Sequence, residues 1–127
     1  PPDTVEGKAE MLVDFEDRLL IFDTLVLCRF MRDLYPWEEL IDMLRRLTGM
    51  ELTKEQLRAK AAAIRDTTRR FNLREGVGAD QDTLPRRLLK EALPSGHSLD
   101  ENEFHHMLAD YYSLRGWNEN GIPPEAQ

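Results

Sequence analysis

A chain of 127 residues, 41% of them apolar, can bury one core, and 24 acidic against 17 basic side chains give it a net charge of -7. That balance excludes a nucleic-acid surface, which needs clustered Lys and Arg with few carboxylates beside them. One cysteine excludes an internal disulfide framework, and no stretch approaches the roughly 20 consecutive apolar residues of a membrane helix. These features point to a soluble protein of a reducing compartment, the cytoplasm. The opening PPDT, with no initiator Met and no basic-then-apolar leader, reads as an internal cut in something longer.

In chain order, Met11, Leu12, Phe15, Leu19 and Phe22 make a first helical stripe. It leads into DTLVLCRF, residues 23–30, which holds the only cysteine. On one continuous helix Asp23 and Cys28 would lie about 140° apart, at roughly 100° per residue, and could not face one ligand. Either the helix breaks there or the two share no role. Taken alone, the stretch reads as a helix cap, with Asp23 accepting from the amides of Leu25 or Val26 and Cys28 packed as a small hydrophobe.

The apolar run Trp37, Leu40, Ile41, Leu44, Leu47 predicts a second helix, entered at Pro36 and left at Gly49. LTKEQL then offers Thr53 as an N-cap with Gln56 closing a capping box, and Leu57, Ala61, Ile64, Thr68 and Phe71 continue one face to about Asn72. Residues 73–99, punctuated by Gly and Pro, predict an extended surface segment with a short helix near Pro85 to Glu91. A last helix, with Phe104, Met107, Leu108, Tyr111 and Leu114 on one face, starts behind Ser98 or Asp100 and stops before Gly116. The expectation is an all-α, irregular multi-helix fold, a single helical domain over residues 1–127.

Three strings, FNLREG at 71–76, DTLPRRLL at 82–89 and YYSLRGWNENGIP at 111–123, follow the Asp-to-Cys stretch in a specific order and spacing. Together they span nearly residues 20–123 and resemble the closing portion of the tungsten-containing aldehyde ferredoxin oxidoreductases. The resemblance implies a C-terminal domain of a longer enzyme that oxidises aldehydes to carboxylic acids and passes electrons to ferredoxin. It also implies a tungsten bis-pterin cofactor of the molybdopterin type and a [4Fe-4S] cluster. In that family a motif of the form Asp, any, any, Gly, Leu, Cys anchors one pterin and supplies one cluster ligand, and DTLVLC resembles it.

By that likeness Asp23 accepts the adjacent N–H donors of the pterin's aminopyrimidinone edge, as a carboxylate accepts the fork of an arginine. Cys28 binds cluster iron as a thiolate, and Leu27 gives main-chain contacts and apolar cover. Val26 departs from the pattern, because its Cβ disfavours the positive φ that Gly would allow in that slot. No residue of the chain is expected to be catalytic by itself. One cysteine cannot hold four irons, so the other ligands come from the remainder of the enzyme chain, and the isolated fragment should be inactive, carrying neither cofactor.

Other candidates have plainer readings. Glu101 with His105 and His106 with Asp110 stand at metal-chelating i,i+4 spacing, which paired surface residues explain as well. Arg69, Arg70 and Arg74 read as ion-pairing groups before phosphate ligands, and Tyr111, Tyr112 and Trp117 as core before cofactor stacking. Two alternatives stay open: a stand-alone helical interaction module without cofactor, and a family relative that reduces an aromatic thioester. Which aldehyde is used, and tungsten against molybdenum, rest on residues outside this sequence.

Overall fold

The computed structural model describes residues 4–92, 96 and 98–125. Among these residues five α-helices follow one another: α1 (Lys8–Thr24), α2 (Trp37–Thr48), α3 (Lys54–Arg74), α4 (Arg86–Lys90) and α5 (Glu101–Arg115). Short 3₁₀ turns sit at Arg29–Met31 and Ala79–Gln81, and no strand occurs among the described residues. The all-α expectation holds. Positions 93–95 and 97 of the segment expected to be extended, and the opening PPD, lie outside the described residues.

Helix ends follow their sequence signals. α2 starts after Pro36, carries Glu38 and Glu39 in its first turn and Arg45 and Arg46 in its last, and ends on Gly49 in the left-handed region. That charge order complements the helix dipole. Ahead of α3 the capping box is complete, with Gln56 N–H donating to Thr53 Oγ1 at 3.2 Å and Thr53 N–H to Gln56 Oε1 at 2.9 Å. Asp100, not Ser98, caps α5, and Glu103 returns the second bond of that box.

The chain divides into two compact units. In the central unit, Asp14–Thr68, a core of Ile21, Phe22, Trp37, Leu40, Leu44, Leu57 and Ala61 is closed by Leu20, Leu25, Leu27 and Tyr35. The Trp37 indole N–H donates to Asp14 at 3.0 Å, which satisfies the one polar atom that this ring buries. In the terminal unit, formed by residues up to Val13 and those from Arg69 onward, Ala9, Val13, Tyr111, Tyr112 and Trp117 form the core.

Which face of each helix is buried differs in part from the stripes read in the sequence. On α1 the buried row is Ala9, Val13, Asp17, Ile21 and Phe22, whereas Met11, Leu12 and Phe15 are exposed. A row containing a small residue and a carboxylate looks weak to a hydrophobicity pattern, yet Asp17 is tolerated there because Arg58 stands 3.7 Å away. On α3 the stripe holds through Leu57 and Ala61, but Thr68 and Phe71 face solvent and Arg69 is buried instead. On α5 Leu114 is exposed, and Tyr112 and Arg115 join Tyr111 inside.

Candidate functional site

Asp23 and Cys28 flank the break that ends α1. The helix stops at Thr24, and a turn brings the chain to the 3₁₀ segment opened by Arg29. Val26 N–H donates to Asp23 O at 3.1 Å and Leu27 N–H to Phe22 O at 2.8 Å. This pair of bonds defines a Schellman stop, with Val26 at the position that needs φ > 0. α3 and α5 end on the same bond pattern, with Gly76 and Gly116 in that position. Val26 alone among the described non-glycine residues has positive φ, +56°. The turn thus keeps the glycine-like conformation despite the Cβ, and the side chain, 91% exposed, recovers nothing by packing. Leu27 folds back onto the central core beside Phe22, the apolar contact that accompanies this kind of stop.

A β-branched residue held in the left-handed region costs on the order of 1–2 kcal/mol. Val26→Gly is therefore expected to raise the unfolding free energy by about 1 kcal/mol after the added chain entropy of glycine is subtracted. Chemical denaturation of the two proteins side by side measures it, and unchanged or lowered stability would mean that the turn is not strained.

Asp23 lies at the C-terminal end of α1, so it does not cap a helix start and does not receive the amides of Leu25 and Val26. Leu25 N–H donates to Ile21 O, continuing the helix, and Val26 N–H to the main chain of Asp23. Its carboxylate instead receives the planar fork of Arg29, Nε to Oδ1 at 2.9 Å and Nη2 to Oδ2. Those hydrogen bonds hold the Asp23 carboxyl below the usual carboxylate range. The contribution of this pair is complete above that range and is lost as pH falls through the depressed value. Cys28 is exposed, not packed as a small hydrophobe. Around it Val26, Phe30, Met31 and Leu34 also face solvent, Phe30 with 90% of its surface.

A second cluster lies in the terminal unit, around Arg69, one of the arginines expected to form ion pairs. Arg69 is 7% exposed and is ringed by residues from two of the signature strings. It donates from Nε to Gly121 O at 2.8 Å and from Nη1 and Nη2 to the two carboxylate oxygens of Asp82. Its guanidinium lies 5.4 Å from the Trp117 ring centroid, and the Tyr112 hydroxyl donates to Asp82 Oδ2. Each guanidinium nitrogen of Arg69 and both carboxylate oxygens of Asp82 are engaged, so the cluster serves as a lock. Arg70 donates to Pro124 O at 2.6 Å and Arg74 to Glu75 at 3.2 Å. The aromatic trio packs as core, with Tyr111 and Trp117 edge to face at 5.8 Å.

Burial, and then the bond to Asp82, push the Tyr112 hydroxyl up to about 12 from its ordinary value of 10.0. Because the raised value belongs to the folded state, this stabilisation is complete below pH 10.0 and is lost as pH rises from there toward about 12. In an alkaline titration followed by tyrosinate absorbance, one of the three tyrosines should ionise last, and Tyr112→Phe should remove that late step. A full-amplitude titration near the ordinary tyrosine value would contradict the buried bond.

Among the described residues no group of three or more His, Cys, Asp or Glu is placed to hold a metal ion. His106 stands 3.6 Å from Asp110 on the exposed face of α5. A cavity of about 400 Å³ opens beside Tyr112 and Trp117, with His105 and Ser113 on its wall. No described helix is long and apolar enough to cross a membrane.

Comparison with known proteins agrees with the signature strings. Residues 1–127 match the sequence family described as aldehyde ferredoxin oxidoreductase, domains 2 and 3. The tungsten-containing aldehyde ferredoxin oxidoreductase of Pyrococcus furiosus is 36% identical over 98% of this chain, and those of Pyrococcus abyssi and Thermococcus kodakarensis are each 35% identical over the same share. The chain spans 21% of the length of each of these relatives. With its whole length matched by the family and about a third of its residues identical to these relatives, the chain belongs to the aldehyde ferredoxin oxidoreductase family.

Proposed function

We propose that these residues form the C-terminal cofactor-binding portion of a tungsten-pterin oxidoreductase that converts aldehydes to carboxylic acids with ferredoxin as electron acceptor. The observation that carries the reading is the turn at 23–28. It exposes a carboxylate and a thiol five residues apart, and the carboxylate already accepts a planar pair of N–H donors. That donor set fits both groups. A pterin's aminopyrimidinone edge presents the same kind of adjacent donors as a guanidinium, and cluster iron takes thiolate sulfur. The exposed apolar side chains of Val26, Phe30 and Leu34 beside it fit a surface that the remainder of the enzyme chain covers.

The tasks of this chain are binding and orientation, because the cofactor supplies the two-electron oxidation when bound. Asp23 accepts the pterin edge and fixes its rotation. Cys28 would contribute one of four cluster ligands, five residues along the same turn from the carboxylate that would hold the pterin. Leu27, anchored in the core, holds the backbone between them and shields that side from water.

The test uses the full-length enzyme, with tungsten, pterin and iron measured per chain. Asp23→Asn keeps the size of the side chain but sets a donor against the pterin's donors, a mispairing worth about 1–3 kcal/mol. Pterin and tungsten should fall together while iron is largely retained. Cys28→Ala should lower iron first. Full tungsten and activity in Asp23→Asn, or an intact four-iron cluster in Cys28→Ala, would overturn the assignment.

A further inference from the structure

We propose that Arg29 is an internal stand-in for the pterin, filling the carboxylate of Asp23 until the cofactor arrives and leaving that carboxylate when it does. The inference rests on the reading of Asp23 as pterin acceptor, and it starts from the geometry of one carboxylate edge. Such an edge offers a single pair of oxygens to a planar pair of donors. Arg29 uses both, with Nε 2.9 Å from Oδ1 and Nη2 on Oδ2. A pterin edge brings the same arrangement of donors to the same place, so the two cannot share it.

The pair is built to be displaced. The Arg29 side chain is 59% exposed, and among the described residues its fork bonds to Asp23 alone. Water can solvate the guanidinium as soon as it lets go, and exposed ion pairs of this kind are weak. Meanwhile the pair links the end of α1 to the start of the 3₁₀ turn, across the strained position Val26. Arg29 directly follows Cys28, whose carbonyl accepts the N–H of Met31 at 2.9 Å. Release of Arg29 therefore frees the segment that carries the thiol, and pterin binding at one end of DTLVLC is coupled to the placement of Cys28 at the other.

Amide hydrogen exchange in the full-length enzyme tests this, with wild type, Arg29→Met and Arg29→Lys each compared in cofactor-free and tungsten-pterin-loaded form. In the cofactor-free enzyme the bonded amides of Val26, Leu27 and Met31 should exchange about fivefold faster in Arg29→Met than in wild type. Arg29→Lys, which can make only one of the two bonds, should fall between. In the loaded enzyme all three should exchange alike. A difference that persists after loading, or none before it, overturns the stand-in role. Full pterin retention in Asp23→Asn would instead overturn the reading of the site on which it rests, so the two failures are told apart.

Discussion

Arg69→Met is expected to lower the unfolding free energy by about 3 kcal/mol or more, the usual scale for removing one partner of a buried charge network. The loss is not simply one ion pair. The arginine satisfies both oxygens of Asp82 and the carbonyl of Gly121, and it covers the Trp117 ring. Methionine restores most of the volume and none of the donors, which leaves a half-buried carboxylate with only the Tyr112 hydroxyl. Arg69→Lys keeps the charge but not the fork, and should recover less than half of the loss. Urea denaturation of the three proteins measures the series. A change below about 0.5 kcal/mol in Arg69→Met, the range of ordinary surface substitutions, would mean the cluster is not a lock.

Gly121→Ala is expected to cost about 3 kcal/mol, from two sources that add. Gly121 has φ +63°, where an L side chain is strained by about 1–2 kcal/mol. A Cβ there would also lie 2.6 Å from Arg69 Nη2 and 2.7 Å from Tyr112 Cζ, closer than atoms pack, and overpacking of this kind costs about 1–3 kcal/mol. Because the nearest atom belongs to Arg69, the double variant Arg69→Met with Gly121→Ala should lose less than the sum of the two single losses. Strict additivity in the double-mutant cycle would show that the glycine is required by its backbone conformation alone.

Some parts of the molecule were written locally and could be read locally. The Pro36 and Gly49 boundaries, the Thr53–Gln56 box, the Asp100 cap and the short helix near Pro85 each depend on a few adjacent residues. A cap is satisfied or left open by side chains within one turn, so nothing distant can change its sign. The signature strings carried the family for a similar reason, since order and spacing are properties of the chain itself.

What only the tertiary structure decided is which of several acceptable partners each group takes. Nothing near Arg69 in sequence distinguishes it from Arg70 or Arg74. Asp82, Tyr112 and Gly121 lie 13, 43 and 52 positions on, and burial follows from their convergence. The α1 stripe was misread because a buried row through Ala9 and Asp17 is held by its neighbours, Arg58 among them, and not by its own hydrophobicity. At the candidate site the sequence supplied Asp23, Leu27 and Cys28 and the conflict of helix faces between the first and last of them. The fold removed the conflict by ending α1 at Thr24 and turning through Val26 at positive φ, a conformation its residue type disfavours, so no local preference could announce it. Leu27 packed against the core and the exchange of bonds around the turn hold that conformation in place, and both exist only once the helix ends are assembled.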